Sequence, residues 1–312
     1  MPLSPLVDRS NFWIPRLGRH RNAACFRIRG SARDRKLQSP TTFSRPPTIR
    51  TGPLDMREAL SNGRTSRASN EVMLRQPGQP GTPFEQASLD FLFGDVWQRP
   101  GLSRRNRRWV TLTCVAAADA PGPIDEHVYA ALASGDIDLK AMLEFVLHFA
   151  VYCGWPKASH LEGVVARQWA RIHQERGGDP DPWPNQDNAA LGPSDWEERL
   201  QRGTQEFIDV NLTQAPSPTS PFRHAGILGF VFGHVWQRPG LTHKERRIVT
   251  VASVALNDSP KPLQTHVSAA LHSGDITKEE MDEIVLQFAA YYGFAKGEAL
   301  HDAAEAAWAQ NP

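Results

Sequence analysis

The sequence predicts an all-α fold made of two copies of one helical module, and three observations support this prediction. Residues 93–165 match residues 232–304 at a constant spacing of 139, with about half of the positions identical. Self-similarity at one spacing is the signature of a repeated structural unit. Helix-start motifs precede amphipathic segments in both copies, and no useful stretch alternates apolar and polar residues as a half-buried strand does.

The predicted helices have recognisable beginnings and ends. A hydroxyl residue followed three positions later by glutamate, the capping-box pattern, occurs at Thr82–Glu85, Ser194–Glu197, Thr242–Glu245 and Thr277–Glu280. Glycines suited to left-handed helix ends follow helical segments, at Gly135, Gly154, Gly274 and Gly293. Apolar residues recur at helical spacing in both copies, at Ile124, Val128, Ala131 and Leu132 and again at Leu263, Val267, Ala270 and Leu271. We therefore expect one face of this helix to pack inward.

Composition divides the chain into four parts. Residues 1–55 form a basic leader, with eleven basic residues against three acids, which we expect to be disordered because it lacks periodicity and is broken by prolines. A transit peptide, a nucleic-acid-binding arm and a true start at Met56 are alternative interpretations. The first module covers 56–175, a linker rich in Pro, Gly, Asp and Asn covers 176–194, and the second module covers 195–312.

Each helical module has an apolar face to cover. Two linked modules can cover these faces around a pseudo-two-fold axis, as the subunits of a homodimer do. The chain is therefore predicted to be a fused dimer that can assemble further.

Composition also excludes several classes of protein. The three cysteines, Cys25, Cys114 and Cys153, form neither a CxxC pair nor a zinc motif, and no histidine–carboxylate cluster has metal-ligand spacing, so we expect no disulfide framework and no metal. No apolar run approaches the roughly 20 residues of a membrane-spanning helix. After the leader, 24 basic residues face 31 acids. We therefore expect no membrane or nucleic-acid partner, and a cytoplasmic location.

The order of motifs in both copies resembles the carboxymuconolactone decarboxylase family. The shared phrases are WQRPGL, then RRNRRWVTLTCVAAA or KERRIVTVASVAL, then HVYAALASGDI or HVSAALHSGDI, and finally EFVLHFAVYCGWPKA or EIVLQFAAYYGFAKG. This resemblance spans nearly all of both modules.

The resemblance implies a small all-helical fold of the alkylhydroperoxidase D-like type that uses no cofactor and assembles as a ring of six modules. A fused pair would complete that ring as a homo-oligomer of three chains. The activity implied is decarboxylation of 4-carboxymuconolactone in protocatechuate breakdown, the 3-oxoadipate pathway of aromatic-compound catabolism. The partner implied is a small carboxylated lactone substrate.

Two departures from the family pattern limit which branch applies. Thiol peroxidases of this superfamily carry CxxC before the histidine, where this chain has Ala120 and Pro123 in the first module. Without a thiolate no disulfide relay can form, so peroxidase chemistry is disfavoured. The decarboxylases carry glutamate four residues before the histidine, where this chain has Pro123 and Pro262, and this departure leaves the exact substrate open.

His127 and His266 are the predicted catalytic residues. A histidine with a pKa near neutrality can protonate the carbanion left by departing carbon dioxide, or donate a hydrogen bond to the developing oxyanion. The alternative is a structural histidine that bonds a helix end.

Four arginines are predicted to bind the substrate carboxylates, because guanidinium groups bind carboxylates through two parallel hydrogen bonds. They are Arg99 and Arg107 in the first copy and Arg238 and Arg246 in the second, with a structural ion pair as the alternative for each. Their neighbours Arg104, Arg105 and Arg108 are expected on a solvated helix face.

Aromatic residues complete the predicted pocket. Trp97 and Trp236 are expected mainly in the core, where they can also wall a dry substrate pocket. Tyr152 and Tyr291 are interpreted as core residues, with the supply of a hydroxyl to the site as the alternative. His148, His160, His234, His243, His272 and His301 receive no role.

The sequence therefore predicts a cofactor-independent carbon–carbon lyase that acts on a small carboxylated lactone. A non-catalytic helical oligomer or binding protein on the same scaffold is the alternative, favoured by Pro123 and Pro262. An isomerase or aldol-type enzyme is a third possibility, since all three reactions deliver a proton to an enolate.

Overall fold

Helices form all of the regular secondary structure in the computed structural model, which describes residues 56–178 and 195–310, with side chains from residue 63 onward. The predicted leader 1–55 and most of the predicted linker 176–194 lie outside these residues. None of the described helices combines the length and the apolar character that crossing a bilayer requires.

The first copy contains six α-helices and one π-helical segment. They are α1 (Met56–Met73), α2 (Pro83–Ala87) continuing into the π-helical Ser88–Val96, α3 (Arg104–Ala117), α4 (Pro121–Ala133), α5 (Leu139–Cys153) and α6 (Trp155–Glu175). The second copy repeats this order, with α7 (Trp196–Asn211), the π-helical Phe222–Phe232, the 3₁₀ turn Val235–Gln237, α8 (His243–Leu256), α9 (Pro260–His272), α10 (Lys278–Tyr292) and α11 (Phe294–Gln310). The predicted all-α fold is confirmed.

Three of the four predicted capping boxes are confirmed. The hydroxyls of Thr82, Thr242 and Thr277 accept the backbone N–H three residues later, and the glutamate there accepts from the backbone of the cap. The fourth box is wrong by one residue, because α7 is capped by Asp195, whose carboxylate accepts from the backbone N–H of Glu198. Aspartate is at least as good an N-cap acceptor as serine.

Glycine ends α5 and α10 and begins the helix that follows. Gly154 (φ 94°) and Gly293 (φ 113°) lie in the positive-φ region that residues with a Cβ rarely adopt. One residue is therefore enough to turn the chain from α5 into α6, and from α10 into α11. Tyr152 and Tyr291 stand two residues before these turns, at the carboxyl ends of α5 and α10.

The repeat extends upstream at a spacing of 138. α1 and α7 both end in a left-handed leucine, Leu74 (φ 55°) and Leu212 (φ 52°). Gly203 packs so tightly that an added Cβ would lie 1.8 Å from the carbonyl oxygen of Leu228. The residue at the corresponding place is Thr65, which contacts Gly94, so the first helices of the two copies pack on their π-helical segments in the same way.

The two modules form one compact unit with a shared core. α3 packs against α8, and each of these helices also packs against the other module, α3 on α10 and α8 on α5. Such reciprocal contacts are the mark of a two-fold interface. The arginine-bearing helices α3 and α8 therefore lie at the centre of the molecule, which buries most of their side chains.

Candidate active site

Each predicted catalytic histidine lies in a site that both modules build. In the first site, Trp97 and His127 come from the first module and Tyr291 comes from α10 of the second. The indole N–H of Trp97 donates to the hydroxyl oxygen of Tyr291 at 2.8 Å. The ring of His127 stacks on Trp97 at 6.3 Å between centroids and meets Tyr291 edge-on at 5.2 Å.

Burial sets the charge of His127. Its side chain is 4% exposed, and Nδ1 is buried without a hydrogen-bond partner. Burial, followed by the positive charges of Arg108 and Arg75, lowers the pKa of His127 to about 3. The imidazole is therefore neutral at physiological pH, with one nitrogen left for a further partner.

A cavity of about 570 Å³ opens beside this histidine. Its wall is largely apolar and includes Met73, Leu89, Leu92, Phe93, Val115 and Ala290. The polar groups that reach it include His127, Tyr291, Arg75 and Glu126. A mostly apolar cleft with a few convergent polar groups is the usual form of a small-molecule site.

An ion pair stands in the wall of this cavity. Arg75, which follows α1, binds Glu126 of α4 with nitrogen–oxygen distances of 2.7 and 3.0 Å. Glu126 precedes His127 directly, so a carboxylate lines the cavity although Pro123 occupies the place of the family's acid. Among the described residues that line the cavity, Arg75 is the one permanent cation.

The predicted arginine clamp of the first site already holds a carboxylate of the protein. Nε of Arg99 donates to both oxygens of Glu283, at 2.7 and 2.9 Å, and Arg107 donates to the same carboxylate at 2.9 Å. Arg107 is buried and also donates to the backbone oxygen of Arg99 and to Gln287. These contacts join the modules, and the role of the two arginines in substrate binding stays a prediction.

Arg108 is buried, so its expected place on a solvated helix face is wrong. Its guanidinium donates to Asp136 at 3.2 Å and to the backbone oxygen of Val72 at 2.5 Å, and lies 5.2 Å from the centroid of the Trp97 ring. Arg104 and Arg105 remain partly exposed. The sequence around Arg104, Arg105 and Arg108 does not show which of them is buried. Arg108 is buried because α1 packs over it in the folded protein.

The second site repeats this arrangement with the modules exchanged. Trp236 donates to Tyr152 of α5 at 2.9 Å, and His266 meets Tyr152 edge-on at 5.8 Å. Burial, followed by the charge of Arg247, lowers the pKa of His266 to about 4. Arg247 takes the place of Arg108, with hydrogen bonds to Asp275 at 2.6 Å and to the backbone oxygen of Val210 at 2.7 Å.

The clamp of the second site binds Glu144 of the first module. Arg238 donates to both Glu144 oxygens, with a shortest distance of 2.6 Å. Arg246 lies farther from that carboxylate, at 3.6 Å, and donates instead to Nδ1 of His148 and to the backbone oxygen of Arg238. His148, to which the sequence assigned no role, is thus part of this site.

The tryptophans and tyrosines of the two sites form hydrogen-bonded pairs across the module interface. Trp97 and Trp236 are buried core residues, as expected, and each also touches a site residue. Tyr152 and Tyr291 are partly buried, and each hydroxyl accepts a hydrogen bond from the tryptophan of the other module. In the described part of the chain, no group of three His, Cys, Asp or Glu side chains is arranged to hold a metal ion.

Comparison with known proteins agrees with the resemblance seen in the motifs. The chain is 36% identical over 86 residues to nitrosuccinic acid decarboxylase npaB of Metarhizium robertsii, a match that covers 28% of this chain and 58% of that protein. It is 36% identical over 77 residues to 4-carboxymuconolactone decarboxylase of Acinetobacter baylyi, with 24% and 57% covered. The chain therefore spans somewhat more than half the length of these relatives.

The family model described as "Carboxymuconolactone decarboxylase family" matches in two regions. They are residues 82–167 and 224–306, which together make up more than half of the chain, one region in each module. The tandem arrangement predicted from the repeat is confirmed. The chain belongs to the carboxymuconolactone decarboxylase family and carries two copies of its module.

Proposed function

We propose that the protein is a cofactor-independent decarboxylase, a carbon–carbon lyase that acts on a small carboxylic acid, with carboxylated lactones of aromatic-compound catabolism as the first class to test. Both relatives described above are named decarboxylases. The observation that carries the proposal is the buried, unpartnered Nδ1 of His127 beside a largely apolar cavity.

The apolar wall favours loss of carbon dioxide. A carboxylate breaks its carbon–carbon bond more readily when water no longer stabilises its charge. The carbanion that remains is stabilised when a neighbouring carbonyl or nitro group of the substrate delocalises its electron pair onto oxygen. In this proposal neutral His127, which lines the cavity, donates a hydrogen bond to such an oxygen, as preorganised donors do in other active sites.

Arg75 gives the cavity its selectivity in this proposal. A second carboxylate of the substrate would exchange with Glu126 for the guanidinium of Arg75, because both groups present the same oxygen pair. In this proposal the four predicted clamp arginines support the site indirectly, because they hold Glu283 and Glu144 in place between the modules.

A direct assay tests the proposal. Purified protein is incubated with carboxylated lactones and related dicarboxylic acids, and carbon dioxide release and loss of lactone absorbance are followed. We expect turnover of at least one acid, and a loss of roughly 100-fold or more in the double variant His127→Gln, His266→Gln. His160→Gln is the matched control, because His160 is partly exposed and pairs with Asp119 outside both sites.

The second candidate is a non-catalytic helical assembly or binding protein. It is favoured by Arg99, Arg107 and Arg238, which all pair with carboxylates of the protein itself. A double histidine variant that folds, assembles and keeps the full biological effect of the protein would support this candidate and overturn the enzyme.

A further inference from the structure

Decarboxylation consumes a proton, and the first site must supply it. The carboxylate leaves as carbon dioxide, so the remaining electron pair has to take up one proton to complete the product. Burial leaves His127 neutral and therefore without an extra proton to give. The hydrogen-bonding side chain that the second module contributes to the described cavity wall is Tyr291.

A chain of hydrogen bonds with fixed direction runs from Arg107 through Gln287 to Thr111, which lies near Tyr291. Arg107 can only donate, so the amide oxygen of Gln287, 3.1 Å away, must accept. This orients the Gln287 amide so that its nitrogen donates to the hydroxyl of Thr111 at 3.0 Å. The oxygen of Tyr291, near Thr111, accepts from the indole of Trp97 at 2.8 Å.

The bond from Trp97 leaves the proton of the phenol free for another partner. A phenol oxygen accepts through its lone pairs and donates through a single O–H. Because Trp97 donates to a lone pair and Tyr291 lines the cavity, the O–H of Tyr291 is available to a ligand there. The same donor would stabilise a phenolate after the proton has left.

The second site preserves this direction with a different residue. Arg246 donates to Nδ1 of His148 at 3.2 Å, so that nitrogen carries no proton. Nε2–H therefore donates to Thr250 at 2.8 Å. Trp236 donates to the hydroxyl of Tyr152 at 2.9 Å, and Thr250 lies near that hydroxyl. Glutamine and histidine can each accept a hydrogen bond on one side and donate one on the other. Gln287 and His148 both accept from an arginine and donate to a threonine, so the direction of the hydrogen bonds is the same in the two sites.

We propose that Tyr291, contributed by the second module, delivers the proton that completes the product in the first site. This inference rests on the proposed function. The electron pair left by departing carbon dioxide forms a C–H bond with the hydroxyl proton, the O–H bond breaks, and the phenolate takes a replacement proton from water. Carbon dioxide leaves, one proton is consumed from solvent, and no oxidant or reductant is needed.

The charges around Tyr291 suit this role. Burial raises the pKa of Tyr291 above its ordinary range, so the hydroxyl holds its proton at neutral pH, while Trp97, Arg108 and Thr111 act in the opposite direction. The groups that face the hydroxyl from neighbouring helices are neutral His127 on α4, cationic Arg108 on α3 and the buried thiol of Cys114, also on α3. Tyr152 holds its proton for the same reason, since burial raises its pKa to about 12.

Removal of one oxygen tests the proposal. Tyr291→Phe keeps the ring beside His127, and we expect kcat to fall by roughly 100-fold with little change in KM. Tyr292→Phe is the matched control on the same helix, because Tyr292 packs on Phe288 and lies outside the site. Thermal melting and circular dichroism establish that both variants fold.

If Tyr291→Phe does not fold, a fluorinated tyrosine incorporated at position 291 provides a second test of the proposal. Fluorine lowers the pKa of the phenol without removing the acceptor that Trp97 needs. We expect the alkaline limb of the kcat profile to move to lower pH, a change that a purely structural tyrosine would not produce.

The outcomes separate the two proposals. If the wild-type protein decarboxylates none of the acids, the proposed function fails and the role of Tyr291 fails with it. If an acid is decarboxylated and Tyr291→Phe is as fast as wild type, or the fluorinated protein keeps its alkaline limb, the tyrosine inference is overturned while the decarboxylase stands.

Discussion

The two sites of this protein share a skeleton of tryptophan, tyrosine, histidine and arginine, but they differ in the groups around it. The first site has Arg75 and Glu126 in its cavity wall, where the second module has Thr213 and Thr265. The second site has His148 where the first has Gln287. The two modules share the arginines and glutamates that pair across their interface, and they differ in the groups beside these pairs.

The two modules share one structural arrangement, and we expect their chemical roles to differ. Glu283 and Glu144 each accept hydrogen bonds from an arginine of the other module. The charged pair Arg75 and Glu126 belongs to the first site alone in the part of the chain that the structure describes. Four experiments examine this difference, beginning with the largest expected effect.

Removal of the buried carboxylates tests the shared interface. We expect Glu283→Gln to lower the free energy of unfolding by about 3–5 kcal/mol, because Arg107 is left buried without a partner charge. Glu144→Gln should cost less, since Arg246 lies 3.6 Å from Glu144 whereas Arg107 donates to Glu283 at 2.9 Å. Urea denaturation measures both changes.

Glu279→Gln, an exposed position on the same helix as Glu283, is the control and should change stability by less than about 0.5 kcal/mol. Equal losses of stability in Glu283→Gln and Glu144→Gln would show that the difference between the two arginine–glutamate distances does not affect the free energy of unfolding.

Single histidine variants test whether the sites are chemically unequal. We expect His127→Gln to lower kcat/KM by roughly 100-fold and His266→Gln to leave most of the activity, because Arg75 and Glu126 stand beside His127 alone. Initial rates of carbon dioxide release measure the effect. A loss of half the activity in each variant would mean that the two sites are equivalent.

The exchange of His148 for glutamine tests the second-site network through pH. Burial, followed by the charge of Arg246, holds the pKa of His148 well below its ordinary value of 6.5. Below pH 6.5 the unfolded chain therefore binds a proton that the folded protein does not, and stability falls as the pH falls. We expect His148→Gln to reduce this loss by about 1.4 kcal/mol for each pH unit below 6.5.

Near pH 7.5, His148→Gln should change the free energy of unfolding by less than about 0.5 kcal/mol, since glutamine keeps the acceptor toward Arg246 and the donor toward Thr250. Urea midpoints of both proteins at several pH values give the comparison. Parallel curves for the two proteins would contradict the assignment of His148 as a buried neutral base.

The smallest effect is expected from the exchange of Glu126 and Thr265. Glu126→Thr gives the first site the residue of the second, and we expect a several-fold rise in KM, because Arg75 is partly exposed and its charge is screened by water. Thr265→Glu is the reciprocal variant and should leave the rate unchanged. A rate that increases in Thr265→Glu would show that the second site lacks only a carboxylate.

Much of the fold was predictable because its signals are local. A capping box or a glycine turn acts within one or two helical turns, so Thr82, Thr242, Thr277, Gly154 and Gly293 could be interpreted from their neighbours alone. The error at Asp195 has the same origin, since Ser194 and Asp195 are both good caps and only the backbone geometry chooses between them.

The site was less predictable, since its residues meet across the module interface. Tyr291 lies 194 residues from Trp97 along the chain, and Glu283 lies 176 residues from Arg107. Spacing in one sequence shows which residues share a helix face, but it contains no information on which face of another helix will cover it. His148 and Arg108 were misjudged for this reason.

The sequence by itself determined the two copies of one module, the helices of each copy and the absence of CxxC, because repetition and helix signals are written in neighbouring residues. The tertiary structure alone decided that each site borrows its tyrosine and its glutamate from the other module. It also decided the charge of the histidines, because desolvation depends on every group that surrounds a side chain and not on its neighbours in the chain.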